Sequence, residues 1–348
     1  MTALPATNDA GRPSVPAGRV VRLLVLLAIL GGIAWLAVKN MGAEQATEQL
    51  FNALTRGAIY ALIALGYTMV YGIIELINFA HGDMFMVGAF VSLTFLGQIL
   101  GLEGAVTNIP LLIALLAATF LVTMAILALV GVTIERYAYK PLRNAPRLAP
   151  LITAIGVSFI LQNLVQLVYG PYQTNSPKIF PDTWVIQVGS ATVPVLSLFI
   201  IGVAVVLMIG LQLFIGRTRL GRAMRSTAAD RDAAALMGVN INRTIAITFL
   251  IGSALAGAAG VVNGLQYGVA RFDDGFQAGL KAFTAAVLGG IGNTVGAALG
   301  GFIIGFIEVG ATAMGYTRWG PAIGFGVLVI VLVFRPAGLL GQQLGERA

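Results

Sequence analysis

Long apolar runs separated by short polar segments make up most of the sequence. The first run is Leu23–Val38, and nine more follow at residues 50–75, 83–101, 110–134, 151–169, 194–215, 244–267, 279–290, 295–314 and 320–334. A helix needs about 20 apolar residues to cross a bilayer. The pattern therefore predicts an all-α polytopic membrane protein with about ten transmembrane segments.

Two of these runs are shorter than ordinary spans. Residues 279–290 number about 12 and include Lys281, which predicts a half-helix or a re-entrant segment. Leu23–Val38 has the length of a signal-peptide core, but a poor cleavage site follows it. We therefore predict an uncleaved anchor over residues 20–40, after a disordered cytoplasmic tail at residues 1–19.

Lysine and arginine collect in residues 136–147 and 217–243, whereas the loops at 170–193 and 268–278 carry few basic residues. Basic loops lie on the cytoplasmic side of a membrane. With ten crossings, this rule places both termini in the cytoplasm and the two weakly basic loops outside. The sequence of residues 184–195, which overlap the end of the first loop, predicts a small outward-facing hairpin. The alternative is an ordinary exposed loop.

The amino-acid composition argues against several classes of protein and of binding site. The chain is 58% hydrophobic and 10% charged, against roughly 25% charged residues in soluble domains. Its net charge of +7 lies in short loops beside apolar runs, which argues against nucleic acid and for a lipid bilayer as partner. Cysteine is absent and His81 is the single histidine, so we expect no disulfide, no metal site and no cofactor.

The two halves of the chain predict an inverted repeat. Residues 50–75 and 244–267 enter the membrane from opposite sides, and a Gly-rich, interrupted stretch follows each, near 78–90 and 279–296. In transporters of this kind the broken segments lie beside the transport path. Small residues four apart predict close helix contacts at Gly252, Ala256, Gly260 and Gly264, and at Gly292, Gly296 and Gly300.

Ionisable and polar side chains in apolar runs are the candidates for a translocation path or gate, because they are costly in a membrane. They are Arg56, Glu75, Asn78, His81, Asp83 and Glu308. Residues 75–83 have two interpretations: a cytoplasmic turn with Asn78 and Asp83 as helix caps, or direct contact with a solute. Glu308 lies mid-run, where a carboxylate paired with a polar neighbour is expected, with path lining as the alternative.

Gly221–Gly238 is a polar, basic segment inside this apolar sequence. Thr227 and Asp230 have the spacing of a capping box, which predicts a helix of about ten residues that Gly238 ends in a left-handed conformation. We expect one face to carry four apolar side chains: Met224, Ala228, Ala235 and Leu236. The alternative is a solvated loop with basic residues.

Six segments resemble the LivH-type permeases of branched-chain amino acid ABC importers. They are Tyr60–Gly72, Ile77–Asp83, Glu135–Arg143, Gly221–Arg225, Ala285–Asn293 and Phe334–Leu340. The resemblance covers residues 45–341, which it implies to be the permease domain, followed by a cytoplasmic tail at 342–348. It also implies alternating access in a heteromeric importer of the bacterial inner membrane, with a LivM-type second permease, two ATPases and a periplasmic amino-acid-binding protein.

Asp232–Gly238 is close to the E-A-A-x-x-x-G pattern that importer permeases present to their ATPases. The resemblance therefore implies that a short cytoplasmic coupling helix lies within 217–243. The residues implied in ATPase coupling are Arg222, Arg225, Asp230, Asp232, Ala233, Ala234 and Gly238. Because no G-x-x-x-x-G-K-[ST] motif occurs, another chain must bind ATP.

Three other functions stay open. Urea and short-amide importers use similar permeases. An ion-coupled secondary carrier would use buried ionisable groups such as Arg56, Lys281 and Glu308, but it would leave Asp232–Gly238 without a role. A membrane-embedded enzyme is disfavoured, because no metal cluster or nucleophile–base pair occurs in the apolar runs.

Overall fold

The computed structural model describes residues 42–75, 78–143, 145–146 and 148–341. The predicted tail at 1–19, the anchor at 20–40 and the tail at 342–348 lie outside the described residues. Within them, eight helices are long and apolar enough to cross a membrane. They are α1 (Ala43–Ile74), α2 (Ala80–Leu93), α3 (Ile109–Ile134), α4 (Leu148–Tyr169), α5 (Val195–Arg217), α8 (Ile241–Tyr267), α10 (Thr294–Ala313) and α11 (Gly320–Phe334). The spans that contain α2, α3 and α11 include the π and 3₁₀ turns next to them and cover Ala80–Ile99, Ile109–Leu142 and Thr317–Phe334.

Shorter elements connect these helices. Thr94–Ile99 continues α2 as a π-helix, while Glu135–Tyr139 and Lys140–Leu142 continue α3 as π and 3₁₀ turns. Three further helices are α6 (Arg219–Ala229), α7 (Arg231–Leu236) and α9 (Asp274–Gly289), and a 3₁₀ turn, Thr317–Trp319, precedes α11. The polytopic helical fold predicted from the apolar runs is confirmed.

Four short strands mark one end of the helix bundle. β2 (Val185–Val188) and β3 (Ala191–Pro194) form the predicted antiparallel hairpin, whose turn contains Gly189 at φ 65°. β1 (Thr174–Asn175) pairs with β4 (Val269–Ala270). We call this end the hairpin face, and the opposite end, which carries α6 and α7, the basic face.

Two helices form the centre of the bundle. Most residues in the apolar parts of α1 and α8 are buried, whereas few are buried in α4, α5 and α11. Exposed apolar side chains on these outer helices include Leu167, Val206 and Val333. A helix that is apolar all round and exposed in a membrane protein faces lipid or another apolar chain.

The central helices approach closely through small residues. A Cβ atom at Gly260 of α8 would lie 2.5 Å from backbone atoms of Phe85 and Ala89 on α2, and one at Gly252 would lie 3.3 Å from the carbonyl of Gly66. Gly296 and Gly300 lie against the backbone of α9 in the same way. The predicted small-residue contact faces are therefore confirmed at these glycines.

Gly292 is an exception to that prediction. It has φ 88°, and a Cβ atom placed on it would meet no atom within 4 Å. Gly292 lies in the turn between α9 and α10, so its positive φ, which glycine adopts without strain, explains the residue better than helix packing does.

Packing partners repeat between the two halves. α1 runs from the hairpin face to the basic face and α8 runs back. α1 packs on α10 and α9, while α8 packs on α3 and α2. Exchanging α1 with α8, α2 with α9 and α3 with α10 converts each of these contacts into another observed contact. This exchange between oppositely directed helices is what an inverted repeat predicts.

α2 and α9 both begin inside the bundle. Gly82, in the first turn of α2, lies against Gly275 and Gly279 of α9, and these residues are buried. α9 then ends at the basic face, where the Leu339 N–H donates to the Leu288 carbonyl over 2.9 Å. At 16 residues, or about 24 Å, α9 is longer than the predicted run of about 12 residues but shorter than the hydrocarbon core of about 30 Å.

Candidate functional sites: a charged cavity and an exposed short helix

A cavity of about 330 Å³ lies between α1, α8, α9 and α10, on the hairpin side of the crossing at Gly82. Its ionisable side chains are Arg56, Tyr60, Tyr267, Asp274, Lys281 and Glu308. The rest of its wall is formed by Ile59, Phe85, Asn263, Val269, Gln277 and Ala278. The cavity therefore combines charged, amide and apolar groups in one space.

Glu308 is the centre of the cavity's polar network. Its carboxylate lies 2.7 Å from Nζ of Lys281, and it accepts a 2.6 Å hydrogen bond from the Tyr60 hydroxyl. Lys281 also donates to Tyr60 over 3.3 Å. The predicted pairing of Glu308 with polar groups on a neighbouring helix is observed, and these contacts join α1, α9 and α10.

Arg56 lies beside this network and is held by Tyr267 of α8. Its Nε–H donates to the Tyr267 hydroxyl over 3.2 Å, while its nearest terminal nitrogen lies 3.9 Å from Glu308. The second distance is too long for a hydrogen bond. The guanidinium is therefore oriented by Tyr267, and the Arg56 side chain is 32% exposed.

The other path candidates do not line this cavity. Asn78, His81 and Asp83 are almost fully buried. Asn78 accepts a hydrogen bond from Tyr139, and Asp83 accepts one from Ser158 and a 2.9 Å one from Gln162. His81 packs edge-on against Tyr67, with ring centroids 4.7 Å apart. These side chains join helices to one another.

The interpretation of residues 75–83 as a capped cytoplasmic turn is wrong for most of the segment. The N-cap of α2 is Phe79, and no side chain provides the cap hydrogen bond. Among the described residues of this segment, Glu75 alone has the exposure expected of a turn residue. It ends α1 in a left-handed conformation at φ 59°, and its N–H donates to the Tyr71 carbonyl.

The basic segment forms two helices where the sequence predicts one. Asp230 is extended, at φ −158°, and separates α6 from α7. Its carboxylate accepts from the N–H groups of Asp232 and Ala233 at 2.9 and 3.0 Å. Thr227 instead donates within α6 to the Ala223 carbonyl. The capping-box prediction is therefore wrong for Thr227, because Asp230 is itself the N-cap.

Gly238 ends α7 as predicted. At φ 82° it donates to Ala235, and Val239 donates to Ala234, which is the hydrogen-bond pattern of a Schellman motif. This motif leaves α7 as a short, well-defined helix with a closed C-terminal end.

The exposed apolar face differs from the predicted one. Leu236 is 89% and Met237 is 85% exposed, whereas Met224 is only 2% exposed. Ala234 is also buried, while Asp232 and Ala233 are exposed. The outer end of α7 therefore projects two large apolar side chains from the basic face.

Three arginines of this segment have distinct surroundings. Arg222 is exposed. Arg225 donates to the Ile215 carbonyl near the end of α5. Arg231 donates to the carbonyls of Ile73 and Ile74 at the end of α1. A basic side chain stabilises a helix C-terminus by satisfying its last carbonyls. Arg231 therefore fastens α7 to the central helix that carries Arg56.

The sequence matches the family described as branched-chain amino acid transport system, permease component, over residues 49–332. The chain belongs to this family. It is 48% identical over 308 residues to the high-affinity branched-chain amino acid transport system permease protein BraD of Pseudomonas aeruginosa, covering 86% of this chain and 97% of BraD. The permease is also 44% identical over 303 residues to the corresponding protein LivH of Escherichia coli, covering 86% and 97%.

A more distant relative is the probable branched-chain amino acid transport permease protein LivH of Methanocaldococcus jannaschii. The permease is 26% identical to it over 325 residues, covering 88% of this chain and 95% of the relative. No solved structure matches the permease. These relatives are transport permeases and not enzymes, so the prediction of a non-enzymatic transport subunit is confirmed.

Sequence reasoning missed part of the permease's cavity. Tyr60, Tyr267, Asp274 and Gln277 line it beside Arg56. Tyr60 lies one helical turn after Arg56, a spacing that places both on one face. Asp274 and Gln277 belong to the first turn of α9, and the return of this segment into the bundle leaves no periodic signal in the sequence.

Proposed function

We propose that this chain is the membrane-spanning subunit of an ATP-driven importer of branched-chain amino acids. The observation that carries the proposal is the short helix α7, which projects Leu236 and Met237 outward while Arg231 holds it against α1. Large apolar side chains exposed in this way favour a protein partner. The names of the relatives support the amino acid as cargo.

The partners of the proposed importer are a LivM-type second permease, two ABC ATPases and a periplasmic amino-acid-binding protein. The outer end of α7, with Asp230 and Asp232 as N-terminal anions and Gly238 as the closing residue, is the proposed ATPase contact. Arg222 belongs to the same exposed surface. Arg225 and Ala234 support the fold of this segment, since their side chains contact the permease itself.

We propose that the protein lies in the bacterial inner membrane with its basic face toward the cytoplasm. The arginines of α6 and α7 support it, because basic residues accumulate in cytoplasmic loops. The hairpin face then meets the periplasmic binding protein, and the cavity lies on that side. Among the path candidates, Arg56 and Glu308 line the cavity, and residues 45–341 form the proposed permease domain.

Coupling follows from the connection between the short helix and the central one. A movement of α7 caused by the ATPases acts on the α1 carbonyls through Arg231, and α1 carries Arg56 and Tyr60 in the cavity wall. A secondary carrier has no comparable use for the exposed end of α7.

The test is Leu236→Asp in the assembled importer, reconstituted in proteoliposomes with its binding protein. A charge in an apolar contact prevents docking, so we expect ATPase association and ATP-dependent leucine uptake to fall at least about tenfold. Tyr316→Asp, which changes an exposed aromatic between α10 and α11 on the opposite side of the bundle from α7, is the matched control for ATPase association. Normal association and uptake in Leu236→Asp would exclude α7 as the ATPase contact, and uptake by this chain alone under an ion gradient would exclude the importer.

A further inference from the structure

We propose that the 330 Å³ cavity holds the permeating solute as a zwitterion, with Arg56 binding its carboxylate and Asp274 its ammonium group. This inference rests on the proposed function, because it assigns the cargo a binding site within the membrane domain. The volume is at the lower end of the range of about 300–1,000 Å³ for small-molecule sites. It suits a solute of amino-acid size.

The charges of the cavity support a zwitterion. Glu308 is neutralised by Lys281 at 2.7 Å and receives a hydrogen bond from Tyr60. Among the described residues of the wall, the other cation and anion are Arg56 and Asp274. Arg56 lies 3.9 Å from Glu308, which is an ion-pair distance but too long for a hydrogen bond. The two opposite charges match the two charged groups of an α-amino acid, whereas urea and short amides carry neither.

Both groups are held in fixed positions by neighbours that leave hydrogen-bonding capacity for a ligand. Tyr267 engages only Nε of Arg56. The guanidinium's terminal N–H groups, which bind carboxylates in a bidentate manner, therefore keep their hydrogen-bonding capacity. One oxygen of Asp274 accepts from the Arg271 N–H over 2.8 Å, which fixes the carboxylate at the start of α9. Asp273, its neighbour, pairs instead with the Arg271 side chain at 3.0 Å.

An apolar wall completes the site. Ile59 and Phe85 come from α1 and α2, and Val269 and Ala278 come from the segment that returns into the bundle. Binding sites for small molecules combine such apolar surface with a few fixed polar groups that set orientation. A branched aliphatic side chain of the solute would contact this wall.

The first experiment compares variants in the complete importer in proteoliposomes, measuring leucine uptake and binding-protein-stimulated ATP hydrolysis together. Asp274→Asn removes the anion and keeps the shape, so we expect uptake to fall about tenfold or more while hydrolysis continues. Ala278→Leu fills the cavity without changing charge and should have the same effect. Asp273→Asn, outside the cavity, is the matched control and should retain both activities.

A second experiment uses the wild-type complex without its binding protein. A photoactivatable diazirine analogue of leucine should label peptides that contain Ile59, Phe85 or Val269, and excess leucine should prevent the labelling. Leucinamide lacks the carboxylate, and 4-methylpentanoate lacks the ammonium group. Each should compete about tenfold more weakly than leucine.

The outcomes separate this site from the proposed function. If the wild-type importer transports leucine while Asp274→Asn and Ala278→Leu transport at its rate, the cavity is not the binding site and the importer stands. Labelling confined to other peptides, or equal competition by all three compounds, would likewise exclude the cavity as the binding site. Absence of ATP-dependent leucine uptake by the wild type would overturn the proposed function itself.

Discussion

Glu308 is a buried carboxylate whose charge is balanced by residues from two other helices. Lys281 of α9 and Tyr60 of α1 both contact it, so a single side chain of α10 determines how three helices meet. A charge inside a membrane protein is costly without such partners. Removing either member of the ion pair therefore leaves the other charge inside the protein without its partner, which lowers the stability of the fold.

We expect Glu308→Gln and Lys281→Met each to lower the stability of the purified permease by about 2–3 kcal/mol. This is less than the cost of about 3–5 kcal/mol for breaking a fully buried pair, because Lys281 is 22% exposed. The apparent Tm in detergent should fall by several degrees. The double variant, Glu308→Gln with Lys281→Met, should lose less stability than the sum of the two single losses, because neither member of the pair is left without the other.

An exposed pair provides the control for this cycle. Lys178 and Asp182 lie 4.0 Å apart on the surface, where an ion pair contributes about 1 kcal/mol or less. Lys178→Met should leave the apparent Tm almost unchanged. Strictly additive losses at Glu308 and Lys281 would mean that the two charges do not stabilise each other.

Glycine positions determine how closely the central helices approach. Gly260 of α8 lies against the backbone of Phe85 and Ala89, and Gly88 of α2 lies against Gly257. Backbone atoms cannot move aside as a flexible side chain can. Even a methyl group at these positions must therefore separate α2 from α8.

We expect Gly260→Ala to destabilise the permease by about 1–3 kcal/mol or more, the usual cost of overpacking, and to lower its yield as a monodisperse species in size-exclusion chromatography. Gly210→Ala is the matched control. It places the same methyl group on α5, where no atom lies within 4 Å, and alanine is the better helix former. Equal yields for the two variants would contradict the close contact.

The sequence predicts helices more reliably than it predicts where they are broken. Long apolar runs identify the spanning helices, and Gly238 marks the end of α7, because only glycine adopts a positive φ without strain. The break at Asp230 is not predicted, because the spacing of Thr227 and Asp230 also fits a capping box. Which of the two residues is the cap depends on the backbone angle of Asp230, and its extended conformation at φ −158° makes Asp230 the N-cap of α7.

At the scale of the whole molecule, the polar residues that the sequence marks as candidates separate into two groups. Arg56 and Glu308 line the cavity, while Asn78, His81 and Asp83 join helices. Their composition and spacing do not distinguish these roles. The distinction arises because α2 begins inside the bundle, where Gly82 and Gly88 lie against α9 and α8.

The contact of Arg231 with the end of α1 leads to a prediction about the coupling of transport to ATP hydrolysis. In the reconstituted importer, Arg231→Gln should retain ATPase association but lower leucine uptake several-fold per ATP hydrolysed, because charged hydrogen bonds of about 1.5–3 kcal/mol to the end of α1 are lost. Arg219→Gln, an exposed arginine at the start of α6, is the control. A variant at position 231 with an unchanged ratio of uptake to hydrolysis would show that coupling does not pass through this contact.

The uninterrupted length of α1 has a mechanical consequence. From Arg56 to Ile74 the helix contains no proline and no break, so these residues are about 27 Å apart along one stiff cylinder. A tilt of about 5° pivoting at one end would displace the other end by about 2 Å over that length. This is enough to break a hydrogen bond. The helix that holds the cavity together would therefore work as a lever arm: a small change of its angle at one membrane surface would open or close contacts near the other.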